Sequence, residues 1–510
     1  MAFKKILLWL ISVVLTSSGV LSLNILGVFP YPGKSHFFVF EPYLKELARR
    51  GHNLTVISYF PQQNAIENYN DISLAGKTKI LEGVFPVQRS YKTILQLILF
   101  LYDTGRENCK VMLADDSVQN LWKTNAKFDL VVVEQFNSDC PLGLAYKLGA
   151  PVVGLTSHML MPWHYEPLGI QYNPSYVPSL LLEGGTKPTL YQRVERTIMH
   201  AFITIMYKYA CVRPNQNTLR QYFNDIPPLE DLARDVKLRL LYTNFVLTGP
   251  RLLPPIVKEV GGYHVAKPKE LPQDLKTFIE ESKHGVIFIS FGSMLRPDLT
   301  PQDKVEAIVA AISNLPQRII WKWDAELPGN PKNVYLSKWL PQNDILAHPN
   351  VLAFYSHSGM LSTTEAIYHG VPMIAMPVFG DQPGNAAAIE ESGLGVQIQI
   401  KDLTTESLSK KIKTVLDPMF RSTVKELSKT WHDTPMTPME SAVYWTEFAA
   451  RTKNFTFRSP AATVPMFQYL YLDVIAVFVI FLISLMVVVK NVLTLLLGSK
   501  TNKSKKVKTK

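Results

Sequence analysis

The chain has 510 residues, 47% of them hydrophobic, and a formal net charge of +11. That length exceeds what one core organises, so two domains of similar size are expected. The charge would suggest a nucleic-acid partner, but two units sit at Lys4 and Lys5, six fall in the last eleven residues, and Lys490 is offset by Asp473; residues 22–469 keep only +3, which excludes a nucleic-acid-binding class.

Residues 1–21 read as a signal peptide, with Lys4 and Lys5 ahead of an apolar run over 6–15 and small residues at Ser17, Ser18 and Gly19. The chain then opens with an apolar strand over 24–29, a Pro/Gly/Ser turn, a helix over 36–50 stopped by Gly51, and a second strand over 54–59. Together these make a β-α-β unit. Strands over 128–133 and 152–155 extend it into a parallel α/β layer, and 22–250 is expected to be the first domain. Within it, 170–245 shows no clear β-α alternation, and the run AFITIMYKY is apolar enough to lie against a membrane or cover a pocket.

Proline and glycine mark a linker over 251–285. Strands then recur at 286–290, 318–323, 334–336, 351–355, 371–376 and 395–398, predicting a second α/β domain over 286–450. The ligand cleft is expected between the domains, outside the carboxyl ends of the strands. A last helix over 437–450 is expected to pack back across that cleft, followed by a stalk over 451–469.

Residues 470–490 predict a transmembrane helix, because about twenty apolar residues, interrupted only by Asp473 and Ser484, cross a bilayer core of roughly 30 Å. The lysine-rich tail over 491–510 belongs in the cytosol by the positive-inside rule, which leaves the body lumenal. Its end, KVKTK, resembles the dilysine signal that recycles membrane proteins to the endoplasmic reticulum. Cys109, Cys140 and Cys211 are too few for a disulfide framework; one bridge is allowed and none is required. Sequons at Asn53 and Asn454 fit lumenal exposure.

The most informative segment is FYSHSGMLSTTEAIYHGVPMIAMPVFGDQ, 354–382, where a buried-type strand runs directly into a helix. His357, Ser358 and Gly359 occupy the junction, and a helix N-terminus with unpaired amides and positive dipole suits a diphosphate, with Gly359 letting backbone approach it. Ser362 and Glu365 share a face of that helix, a hydroxyl for phosphate and a carboxylate for a ribose diol. After the next strand, Asp381 and Gln382 pair an acceptor with an amide, a combination that can read sugar hydroxyls.

This segment resembles the signature of the UDP-glycosyltransferase family, with its spaced His, Gly, Ser, Glu, Pro, Pro and Asp-Gln. WLPQNDILAHP, 339–349, is also similar to that family, in which the counterpart of Trp339 stacks on uracil and that of Gln342 contacts it. FGS at 291–293, with Gly292 and Ser293, resembles its phosphate-side turn, and PYPGKSHFFVFEPYLKELARRGHNLTVIS its N-terminal opening. The resemblance covers nearly the whole chain. It implies the GT-B fold of two Rossmann-like domains, acceptor in the first and UDP-sugar in the second.

The same resemblance makes His36 the general base that deprotonates an acceptor hydroxyl, with inversion at the anomeric carbon. The family pairs that histidine with an acid beyond the strand near 130. Asp139 is the preferred partner, and Glu134 is equally placed counting from the strand. The chain departs from the family where Ser358 replaces the first of two glycines after the signature histidine. No metal-ligand spacing is present, so transfer without metal or cofactor is expected, with a UDP-sugar, by resemblance to insect members UDP-glucose, as co-substrate and a small lipophilic molecule as acceptor. Two alternatives stand beside this reading: a membrane-tethered binder of lipophilic molecules without transfer, and a dedicated lipid glycosyltransferase. Members of the family often self-associate, so a homo-oligomer is a further expectation.

Overall fold

The structure is a computed structural model that describes residues 22–81, 90–292, 297 and 300–506. The expected signal peptide, Ser293 and the end of the basic tail lie outside the described residues. Strands β1 (Asn24–Phe29), β2 (Asn53–Ser58), β3 (Tyr69–Ser73), β4 (Leu130–Glu134), β5 (Val152–Leu155), β6 (Leu238–Leu241) and β7 (Val257–Glu259) form one parallel sheet in the order β3-β2-β1-β4-β5-β6-β7. Strands β8 (Val286–Ser290), β9 (Arg318–Lys322), β10 (Val334–Ser337), β11 (Val351–Ser356), β12 (Met373–Ala375) and β13 (Gly395–Gln397) form a second, ordered β10-β9-β8-β11-β12-β13. Helical crossovers cover both faces of a parallel sheet, so central strands run continuously apolar, as LVVVE in β4 and VIFIS in β8 do.

Seven helices matter below: α1 (Lys34–Arg49), α2 (Tyr91–Ala114), α3 (Leu190–Tyr207), α4 (Met360–His369), α5 (Gln382–Glu391), α6 (Pro438–Arg451) and α7 (Leu472–Lys506). The strand order reverses between β1 and β4 in the first sheet and between β8 and β11 in the second. At such a switch point adjacent crossovers leave on opposite faces and open a crevice at the carboxyl ends. His36 follows β1 and Glu134 ends β4; Gly292 follows β8 and His357 follows β11. Each half of the site therefore occupies the crevice of its own sheet.

Three strands depart from the sequence expectation. β3 is a polar edge strand, YNDIS; β6, inside the unassigned 170–245, carries Arg239 within LRLL; and β7 is three residues long inside the segment expected to be linker. The first sheet thus ends beyond residue 250. Arg239 is tolerated in a buried strand because its guanidinium donates to Ala233 O at 2.8 Å and His164 O at 3.4 Å.

Helix α6 begins at a capping box of Thr437 and Glu440 and returns to the first domain, packing on α1, β5 and β6. Tyr43 and Thr446 share a buried hydrogen bond of 2.6 Å, His52 Nε2 lies 3.2 Å from Glu447 Oε1, and Lys258 sits 3.7 Å over the Trp445 ring. A disulfide joins Cys109 to Cys140, with Cα atoms 5.6 Å apart, and Cys211 is free and buried. The apolar part of α7 covers Leu472–Leu497, 26 residues of mean hydropathy 3.1, exposed all round. It continues past the expected end at 490 because NVLTLLL resumes the apolar run, and Lys490 has a stem long enough to carry its ammonium along the helix toward water.

Candidate functional site

On the first domain the site is built around His36, in the first turn of α1. Its Nδ1 lies 2.6 Å from Glu134 Oε1 and 3.1 Å from Ser157 Oγ. An ionised carboxylate only accepts, so Nδ1 carries the proton and Nε2 is left with its lone pair. The ring is held between Phe136, at 4.4 Å centroid to centroid, and Tyr31, at 4.7 Å. His158 stands behind at 6.0 Å; burial, and then the neighbouring His36, push its pKa down to about 3, so it adds no positive charge.

Asp139 is not the partner of His36. Tyr207 donates its hydroxyl to Asp139 Oδ2 at 3.1 Å, and burial pushes the carboxyl up to about 6. Beyond Phe136 the chain to Asp139 is clamped to α2: Asn137 donates to Leu101 O, a Cβ on Gly105 would come within 2.0 Å of Asn137 O, and Cys140 is bonded to Cys109. These constraints all come from α2, remote in sequence.

On the second domain, β11 delivers His357, Ser358 and Gly359 to the start of α4, whose N-terminus has no side-chain cap. The His357 ring is wedged between two glycines: an added Cβ would sit 2.8 Å from it at Gly292 and 2.7 Å at Gly359. Burial, then the charge of Lys322, lower its pKa to about 4, so it faces the junction as a neutral hydrogen-bonding ring. Ser358 stands at φ 66°, in the left-handed region, and its buried Oγ has no hydrogen-bond partner among the described residues.

Asn385 ties this turn to Asp381, donating to Ser358 O at 2.9 Å and to Asp381 Oδ2 at 2.8 Å. Gln382 does not offer its carbonyl to a ligand: Oε1 accepts from Val378 N at 2.8 Å and Phe379 N at 3.1 Å, locking the turn that presents Asp381. Burial raises the Asp381 pKa, opposed by the Asn385 hydrogen bond and, across the cleft, by His36.

Gln342, Ser362 and Glu365 come together as one cluster. Gln342 Nε2 donates to Ser362 Oγ at 2.9 Å and to Glu365 Oε2 at 2.5 Å, while His264 Nε2 lies 3.5 Å from Glu365 Oε1. Ser362 is therefore turned to Gln342. Trp339 stands on the adjoining loop, 70% exposed, an indole with an open face.

The match to known proteins decides the family. The model described as "UDP-glucoronosyl and UDP-glucosyl transferase" matches residues 27–507. This chain belongs to the UDP-glycosyltransferase family. It is 35% identical over 479 residues to UDP-glycosyltransferase UGT5 of Dactylopius coccus, covering 92% of this chain and 91% of that one. It is 34% identical to UDP-glucosyltransferase 2 of the same insect over the full length of both, and 30% identical to UDP-glucuronosyltransferase 1A3 of Rattus norvegicus, covering 88% and 87%. Among solved structures, the calicheamicin glycosyltransferase CalG4 aligns with a TM-score of 0.57 at 17% identity, covering 85% of this chain and 99% of that one. The fold is GT-B.

Several residues of this UDP-glycosyltransferase site escaped sequence reasoning. Lys322, at the end of β9, donates to Gly292 O at 3.2 Å; burial and the charge of Lys34 on α1 lower its pKa. Lys34 of the first domain thus comes close enough to Lys322 of the second for their like charges to be felt. The only sequence signal was a lysine closing an apolar strand. Ser157, Phe136 and Asn385 carried none of their own.

Proposed function

We propose that this member of the family transfers a hexose, glucose, from its UDP carrier to the hydroxyl of a small lipophilic acceptor, with inversion. The observation that carries the reading is the 2.6 Å contact of His36 with Glu134 at the crevice of the first sheet. His36 Nε2 takes the acceptor proton, the freed oxygen bonds to the anomeric carbon, and the bond from that carbon to the UDP oxygen breaks, with UDP leaving. Glu134 holds the imidazole in the right tautomer and steadies the imidazolium that forms. Asp139 has no part in this step.

On the donor side, Trp339 stacks on uracil, Glu365 accepts from the ribose hydroxyls, and Gln342, now bonded to Glu365 and Ser362, turns its amide to the base. The diphosphate lies at the α4 N-terminus beside Gly359, neutral His357, Gly292 and Lys322, and Ser293, which follows Gly292 in the sequence, offers it a hydroxyl. Asp381 reads the sugar. The reading calls on no metal or cofactor. Glucose is favoured by the full-length likeness to a protein named UDP-glucosyltransferase. We place the body in the endoplasmic-reticulum lumen, anchored by α7, on the strength of its apolar length and the basic tail.

Mass spectrometry of conjugates tests this reading, using membranes carrying wild type or His36→Ala with UDP-glucose or UDP-glucuronate and a panel of phenols and alcohols. Conjugates that collapse in the variant support it, and the added mass names the sugar. UDP binding without any conjugate contradicts it.

A further inference from the structure

The two oxygens of Glu365 are approached by different side chains. Gln342 Nε2 donates to Oε2 at 2.5 Å, and His264 Nε2 lies 3.5 Å from Oε1. In the donor reading above, the Gln342 amide leaves the carboxylate and turns to the base, which makes His264 the neighbour left to hold Glu365. His264 reaches it from the other half of the molecule. Its backbone lies in the segment expected to be linker, which continues β7 along the edge of the first sheet: Val260 N donates to Leu241 O and Gly261 N to Thr243 O, both at 2.9 Å. A Cβ on Gly261 would fall 2.8 Å from the Thr243 backbone, so the two segments are pressed together. Gly262, at φ 111°, then turns the chain, with Val265 N closing onto Gly262 O at 3.0 Å. That turn brings the imidazole to α4 of the second domain.

We propose that His264 is a positioning residue for the nucleoside: it fixes the plane of Glu365 so that both oxygens accept from the 2′- and 3′-hydroxyls of the ribose, and the first domain thereby takes part in reading a diol bound on the second. The inference rests on the donor reading above. The side chain is only 8% exposed, and its Nδ1 is bonded to the hydroxyl of Tyr242, a buried residue directly after β6. A carboxylate only accepts, so the Nε2 that faces it carries the proton, and the Tyr242 hydroxyl, donating to Nδ1, fixes that tautomer. Nε2 is buried and has no hydrogen-bond partner among the described residues. A buried N–H left unpaired is costly, and a small shift of Glu365 toward it, once Gln342 lets go, forms a charge-assisted bond. Each carboxylate oxygen has more than one lone pair, so Oε1 can accept from His264 and from a ribose hydroxyl together.

The test is calorimetry on the full chain in nanodiscs with two probes, UDP and 2′,3′-dideoxy-UDP. Wild type is expected to favour UDP by about tenfold or more, the scale of one or two hydrogen bonds to a charged group. In His264→Ala that preference is expected to fall to about threefold or less, while 2′,3′-dideoxy-UDP binds within about twofold of wild type. His264→Gln, which keeps an N–H donor at similar reach, should recover most of the preference, and Tyr242→Phe, which frees the tautomer, should lose part of it. A merely structural role would weaken both probes alike. Equal weakening of both in His264→Ala, an unchanged preference there, or His264→Gln no better than His264→Ala overturns the inference. Glu365→Ala separates it from the donor reading: loss of the preference in that variant leaves the donor reading standing, whereas a preference kept in Glu365→Ala, or absent from wild type, overturns both.

Discussion

At the residue scale, Ser358 holds a conformation suited to glycine. A non-glycine residue in the left-handed region costs about 1–2 kcal/mol, offset by the roughly 0.5–1 kcal/mol of chain entropy that glycine loses on folding. Ser358→Gly is therefore expected to raise the melting temperature slightly, and Ser358→Val, β-branched and buried, to lower it; thermal melts of the three forms check the sign. Asp139 gives a second residue-scale expectation. Its carboxyl pKa is raised to about 6, so the folded state holds this proton more tightly than the unfolded chain does. The stability it contributes is complete below the ordinary carboxylate range and is lost as pH rises through about 6. Asp139→Asn, which stays neutral, should thus match wild type near pH 4 and be the more stable protein at pH 8, in melts at both values.

At the scale of elements, the second-domain half of the site depends on two strand-to-turn junctions meeting around one ring. Gly292 stands at φ 70° and both it and Gly359 leave no room for a methyl beside His357. Gly359→Ala is expected to displace that ring and weaken UDP binding by about tenfold or more, roughly one or two hydrogen bonds to a charged group, while uridine binding holds, measured by calorimetry. Lys322→Met should act in the same selective way. The parallel core strands and the 354–382 segment were legible in the sequence because continuous apolar runs and a strand joined directly to a helix leave strong local patterns. β6 and β7 were not, since one hides a buried arginine whose partners lie elsewhere in the chain and the other is three residues long. The partner of His36 was open for the same reason: Gly105, Asn137 and the Cys109 bridge, which pull Asp139 away, act over distances that one local string does not encode.

At the scale of the molecule, two crevices at two switch points face each other, and α6 ties the second domain back to the first. The buried bond between Tyr43 and Thr446 belongs to that tie. Thr446→Val leaves the Tyr43 hydroxyl buried without a partner and should cost about 1–3 kcal/mol in denaturant unfolding. Asp381 feels the charge of His36 across the cleft, so the two domains bring these side chains within electrostatic reach of each other. The most direct test of that arrangement is kcat for Glu134→Gln and Asp139→Asn, side by side, with one acceptor and UDP-glucose. Glu134→Gln is expected to lose about a hundredfold or more in kcat with KM for the UDP-sugar little changed, and Asp139→Asn to stay within about threefold of wild type. Full activity in Glu134→Gln, or the loss falling on Asp139→Asn instead, would contradict the pairing of His36 with Glu134.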